Sequence, residues 1–225
     1  LLGAAKTPSP RCSSQPPYLL PGWPQAGLDI VHASGALGEL DPNYPGFEIV
    51  VGVEDDKIYA FHVDGTPVPG WPVNVRGSFS SAALAAVEPL YPGLEVIVGA
   101  DPKVPHDTTN LLYAFRVDGT VVPGWPPYTN GPVDSSPALA DFDPQYPGLE
   151  IVVGSTSGAL PHRIYAFHAD GTPVPGWPQF PSDLVISTPA IDDVDGDGDL
   201  EIVVASEDGN VYAFQADGTL LPGWP

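Results

Sequence analysis

Residues 187–225 read STPAIDDVDGDGDLEIVVASEDGNVYAFQADGTLLPGWP, and this stretch, repeated with variations along the chain, decides the fold. It holds an acidic loop (Asp193 to Glu201), an apolar run (Ile202 to Ala205), an aromatic segment (Val211 to Phe214), an Asp217-Gly218 turn and a closing Pro-Gly-Trp-Pro. Upstream, Pro-Gly-Trp-Pro recurs around Trp23, Trp71, Trp125 and Trp177, so that the five copies are separated by 48, 54, 52 and 47 residues. Tyr-Ala-Phe at Tyr59, Tyr113, Tyr165 and Tyr212 keeps the same step, as does Asp-Gly-Thr at Asp64, Asp118, Asp170 and Asp217. Self-similarity at this period marks a propeller or solenoid, in which each unit buries its faces against its neighbours.

Each unit reads as four strands and no helix. The first is Ser135 to Asp141, matching Ser187 to Asp193, and the second is Glu150 to Gly154, whose unbroken apolar run predicts burial on both faces. The third carries Tyr165-Ala166-Phe167, and Asp170-Gly171 then closes a hairpin onto a fourth, Thr172 to Pro178. Pro173 and Pro175 lack a ladder donor, so this fourth strand is expected at the outer edge. The expected fold is therefore all-β, a β-propeller of four four-stranded blades over 25–72, 73–126, 127–178 and 179–225, closed as a ring or completed by oligomerisation.

One count does not close. Residues 18–24, YLLPGWP, nearly duplicate the last seven residues, giving a surplus outer strand with no blade of its own. The chain is then a piece of a longer propeller, or the surplus strand caps this one, or it pairs with an adjacent subunit and head-to-tail repetition builds a filament. Residues 1–17, rich in Pro and Ser, read as an extended tail, and Leu1 to Ala5 end in small residues as a cleaved signal does.

Composition narrows the function. The formal charge is −21, with only seven Lys and Arg, which argues against nucleic acid and favours cations or neutral polymers as partners. No apolar run has the length of a membrane span. A single cysteine, Cys12, excludes an internal disulfide framework.

The acidic loop carries the one chemical motif. Asp193, Asp195, Asp197, Asp199 and Glu201 fit D-x-D-x-D-G-x-x-E, a spacing that lets alternate oxygens converge on a hard ion while glycine permits the sharp turn. Calcium is the expected cofactor, with carboxylates from Asp193, Asp195, Asp197 and Glu201 and a main-chain carbonyl from Asp199. Strand-like sequence on both sides argues against a helix-flanked EF-hand loop.

Over residues 18–225, and most specifically over Asp193 to Val204, the chain resembles the FG-GAP/VCBS repeat family. The resemblance implies a β-propeller with a metal-stapled blade, serving extracellular adhesion, recognition or scaffolding. The Tyr-Ala-Phe and Asp-Gly-Thr segments also look like pyrroloquinoline-quinone-type propeller repeats, although no residue marks a quinone site. The other three units depart from the calcium pattern: each has Pro-x-Tyr-Pro-Gly in its place, and a proline-stiffened turn with a tyrosine is expected to organise the loop instead of an ion. A glutamate precedes the apolar run in all four units, so Glu201 has a structural role open to it that needs no metal.

Remaining candidates are few. Tyr44, Tyr91 and Tyr146 are ligand-binding candidates because they lie in loops, while the repeated tryptophans are expected to pack between blades. His62 and His168, at one repeat position, read as solvent-facing strand residues. No Ser-His-Asp order or paired-acid spacing stands out, so a non-enzymatic structural or adhesive module is expected. The alternative is recognition of a glycan or cell-surface protein through the long loops Asp101 to Asn110 and Ser155 to Arg163.

Overall fold

A computed structural model describes residues 20–77, 80–88, 91, 93–101, 111–156 and 161–225. The expected tail with Cys12, the start of the surplus strand, and residues 102–110 and 157–160 of the two long loops lie outside the described residues. Among the described residues there is no helix, and four antiparallel sheets follow one another along the chain. The first contains β1 (Ala36–Gly38), β2 (Glu48–Val53), β3 (Lys57–Phe61) and β4 (Val73–Asn74). The second contains β5 (Ala83–Ala85), β6 (Glu95–Gly99) and β7 (Leu112–Phe115), and the third β8 (Ala138–Ala140), β9 (Glu150–Ser155) and β10 (Arg163–Phe167). The fourth contains β11 (Ala190–Asp192), β12 (Glu201–Ala205) and β13 (Val211–Phe214).

The apolar run is the middle strand of every sheet, as burial on both faces requires: β6 and β9 are buried along their whole length. Register repeats from blade to blade. Val50 pairs with Ala60, Ile97 with Ala114, Val152 with Ala166 and Val203 with Ala213, so the alanine of Tyr-Ala-Phe always faces the second residue after the glutamate.

The fourth strand differs from its expectation. The segment after each Asp-Gly-Thr turn makes only isolated bridges, at Pro67, Val121, Pro173 and Leu220, because the chain turns at once into Pro-Gly-Trp-Pro; in the first and third blades prolines also lack the ladder donor. Pairing resumes beyond the turn: Val73–Asn74 joins β3, and Gln179 bridges Ile164. Three blades are thus three-stranded by regular pairing, and the outer edge of the first takes residues past the expected boundary at 72. The first strands are also shorter than expected, three residues each.

The core lies between blades rather than within them. Val50, Ile58 and Trp71 of the first blade pack with Val96, Val98 and Phe115 of the second. Ile97, Leu112 and Trp125 meet Ile151, Val153 and Phe167, and Val152, Ile164 and Trp177 meet Ile202, Val204 and Phe214. Inner strands touch in the order β1, β5, β8, β11, and among the described residues there is no comparable contact from β11 back to β1 and no closed ring is seen.

Four of the five Pro-Gly-Trp-Pro copies reach forward to the next blade. The indole Nε1 of Trp71 donates to Val117 O (2.7 Å), that of Trp125 to Ala169 O (2.9 Å) and that of Trp177 to Ala216 O (2.9 Å). Gly70, Gly124 and Gly176 sit at φ of 90–93°, and a Cβ on any of them would run into the carbonyl of the facing Asp-Gly-Thr turn, so only glycine allows the approach. This accounts for the surplus copy: Trp23 Nε1 donates to Val63 O (2.8 Å) and its ring meets Phe61 edge-on, so Leu20–Pro24 caps the first blade as a turn rather than a strand.

Candidate metal centre

Every blade folds its inner loop around a buried glutamate. Glu48 Oε2 accepts from the amides of Leu40 (2.7 Å) and Asp41 (3.0 Å), and Glu150 Oε2 from those of Phe142 (2.9 Å) and Asp143 (3.0 Å). Glu95 Oε2 accepts from Val87 (2.7 Å) and Glu88 (3.3 Å), and Glu201 Oε2 from Val194 (2.8 Å). All four are essentially fully buried. Glu201 therefore does the loop-clamping work of the three glutamates whose loops lack the calcium pattern.

What covers the glutamate differs between blades. In the first and third, the tyrosine of Pro-x-Tyr-Pro-Gly folds over a histidine: Tyr44 stacks on His62 at 3.8 Å between centroids, and Tyr146 on His168 at 3.9 Å. His62 Nδ1 lies 3.1 Å from Glu48 Oε1, and His168 Nδ1 3.3 Å from Glu150 Oε1. Both histidines are 4% exposed, which corrects the solvent-facing reading: the neighbouring loop closes over their strand position. In the second blade the position is Arg116, whose guanidinium lies 4.7 Å over the Tyr91 ring and grips both oxygens of Glu88 (2.6 and 2.7 Å). The Glu95 Oε1 left behind is buried without a partner, and burial pushes the Glu95 carboxyl up.

The tyrosines are tied further by their hydroxyls. Tyr44 donates to Asp64 Oδ2 (2.7 Å) and Tyr146 to Asp170 Oδ2 (2.6 Å), locking the inner loop to the Asp-Gly-Thr turn. The Thr66 hydroxyl and then that of Tyr44 hold Asp64 down at about 2. At Asp170 burial pulls upward, but the hydroxyls of Thr172 and Tyr146 outweigh it and the carboxyl is lowered. Tyr44, Tyr91 and Tyr146 thus spend their rings and two of their hydroxyls on the fold. Tyr146 alone also lines a cleft of about 390 Å³ between the second and third blades, with Val87, Val122, Pro147 and Asp170.

The fourth blade has no tyrosine in its inner loop and no histidine or arginine after Tyr-Ala-Phe: the strand position is the exposed Gln215, and the loop is Asp193 to Glu201. Here Asp193, Asp195 and Asp197 each offer a carboxylate oxygen within 4.8 Å of the others. Asp193 Oδ1 accepts from Gly196 N (2.6 Å) and its Oδ2 from Gly198 N (3.1 Å), while Asp195 and Asp197 accept from the amides two residues on. Gly196 and Gly198, at φ of 82° and 99°, supply the left-handed turns that bring the three together. Hard oxygen donors with lone pairs to spare suit Ca²⁺, so the residues fit the ion. Asp199 and Glu201 lie outside the converging group, Glu201 held inward by the Val194 amide.

Sequence reasoning missed the tyrosine–histidine and tyrosine–arginine pairs. The signal was present within the chain: the three units with Pro-x-Tyr-Pro-Gly carry His62, Arg116 or His168 after Tyr-Ala-Phe, and the unit with the aspartate loop carries Gln215.

A scan against protein-family models gives no match, and no curated protein matches significantly. Solved structures do match. BamB from Moraxella catarrhalis aligns at TM-score 0.55 and 18% identity over 85% of this chain and 52% of its own. The computationally designed Ika4 protein aligns at 0.52 and 13% over 89% of this chain and 99% of its own. A chain of the BBS1N–ARL6DN complex soaked with mercury aligns at 0.51 and 19%, covering 91% of this chain and 62% of its own. The chain spans about half the length of BamB. At these identities the likeness concerns the fold, and it is propeller-like: four blades of an all-β propeller.

Proposed function

We propose that the chain is a non-enzymatic propeller module of the FG-GAP/VCBS kind, structural or adhesive in use outside the cell, with Ca²⁺ stapling its last blade. The carrying observation is the convergence of Asp193, Asp195 and Asp197 in the one blade that lacks a tyrosine lid. Bound there, the ion would occupy the place over the buried glutamate that His62, Arg116 and His168 take in the other three loops. Asp195 and Asp197 are exposed, and open sites of this kind bind calcium at roughly 10⁻⁴–10⁻³ M, a range matched to extracellular concentrations.

The test is a melting curve. Ca²⁺ at about a hundredfold over its Kd adds about 2.7 kcal/mol, on the order of 5–10 °C for a chain of this size. EGTA reverses the gain and Asp195→Ala abolishes it; identical curves with and without Ca²⁺ sink the site. A second reading, recognition of a glycan or surface protein, is favoured by the cleft at Tyr146. It predicts that Tyr146→Ala removes binding on a glycan array while the melting gain with Ca²⁺ remains.

A further inference from the structure

The fourth blade leaves open a space that the first and third fill from within. There His62 and His168 reach Oε1 of the buried glutamate, at 3.1 and 3.3 Å, and a tyrosine stacks over each ring and donates to Oδ2 of Asp64 or Asp170. Gln215 holds the histidine position in the fourth blade, but it is exposed, and its Oε1 accepts from the Thr219 hydroxyl (2.9 Å). No tyrosine of the inner loop covers it. The result is a cleft of about 260 Å³ between the third and fourth blades, with Phe142, Leu200 and Ala216 in its walls and the acids Asp199, Glu201 and Asp217 lining it.

Glu201 decides what the cleft can hold. It is 1% exposed, its Oε2 is taken by the Val194 amide, and no described residue donates to its Oε1. Asp217 likewise spends Oδ1 on Thr219, and its Oδ2, the oxygen that Asp64 and Asp170 give to a tyrosine, has no donor among the described residues. In the corresponding cleft one blade back, Tyr146 forms part of the wall and Glu150 does not. Both walls of the open cleft belong to blades within the chain. The cleft one blade back is lined by the second and third blades alone, although a fourth follows them.

We propose that this cleft binds the guanidinium of an arginine side chain presented by a partner protein. A buried carboxylate oxygen without a donor is costly, and a cationic donor relieves that cost. Arginine suits the cleft better than lysine, because its planar fork offers five donors to the separate carboxylates while its stem covers the apolar wall. The chain supplies a precedent. In the second blade Arg116 takes the position of Gln215, lies 4.7 Å over the Tyr91 ring and grips both oxygens of Glu88. With seven Lys and Arg against 28 Asp and Glu, the chain is complementary to a basic partner.

An ion over Glu201 would contend for the same oxygen, so the test is run in EGTA, where its outcome does not depend on the calcium reading. The isotope-labelled 225-residue chain is titrated with acetyl-Ala-Arg-Ala-amide and followed by NMR. Saturable shifts at Leu200, Glu201, Ala216 and Asp217 are expected, with a Kd on the order of 1 mM for one side chain. The citrulline peptide, of the same shape without the charge, should bind about tenfold more weakly. Glu201→Gln should weaken binding, but it also alters the loop clamp. Gln215→Arg leaves the clamp intact, supplies the guanidinium from within as Arg116 does, and should abolish the shifts. Scattered or unsaturable shifts, equal binding of the citrulline or lysine peptide, or undiminished binding by Gln215→Arg would each overturn the proposal.

Discussion

Asp64 is the most strongly perturbed acid of the loop network, and its hydrogen bonds give acid stability a direction. Its carboxyl is held at about 2 by the Thr66 and Tyr44 hydroxyls, and Asp118, Asp170 and Asp217 are lowered by the threonine of the same turn, at Asp170 against the pull of burial. For a depressed acid the stabilisation is present above its unfolded value and is lost as pH falls through its folded one. Urea midpoints are therefore expected to hold down to about pH 4 and then fall toward pH 2. Asp64→Asn should start lower at pH 5 and fall less steeply; parallel curves for both proteins would contradict the assignment. Glu95 runs the other way. Its Oε1 has no partner and burial raises its carboxyl, so its burial costs stability, whereas Glu150 Oε1 has His168 Nδ1 at 3.3 Å. Glu95→Gln should cost less than Glu150→Gln at pH 7, by on the order of 1 kcal/mol in urea unfolding.

At the scale of the element, Pro-Gly-Trp-Pro is a fastener whose worth depends on whether a blade follows. Trp125 Nε1 bonds to a buried carbonyl in the next blade, so Trp125→Phe leaves that acceptor unmade and should cost about 1–3 kcal/mol. Trp224→Phe, at an indole 36% exposed in this 225-residue chain, should change its melting temperature by less than about 2 °C, and thermal scans of both variants check the contrast. The same element shows where the sequence could be read and where it could not. Its period, the apolar middle strand and the Asp-Gly-Thr hairpin were legible because they rest on local chemistry that repeats at fixed offsets. The outer strand was not, because Pro173 and Pro175 mark an edge without saying whether pairing survives there, and pairing returned only at Val73 and Gln179. The aspartate loop was legible as a donor set, with Asp193, Asp195 and Asp197 converging. The burial of His62 and His168 was not, since it depends on a tyrosine about twenty residues upstream folding back across the sheet edge.

Taken whole, the molecule is a short one-dimensional stack, and its stability should be graded along the chain. Blades two and three each bury both faces against neighbours, whereas blades one and four each bury one within the chain. In such arrays stability is close to a sum of unit and nearest-neighbour terms, so a terminal blade lacks one interface term and opens first. The middle strands give a direct comparison, since Val98 and Val152 are fully buried while Val51 and Val203 are half-buried at the two ends. Amide exchange should accordingly be slowest in β6 and β9 and faster in β2 and β12. Ca²⁺ should slow β12 and its loop without affecting β2. Hydrogen-exchange mass spectrometry with and without EGTA separates the two effects: exchange as slow in β2 as in β6 would contradict the gradient, and exchange in β12 that ignored Ca²⁺ would count against the site.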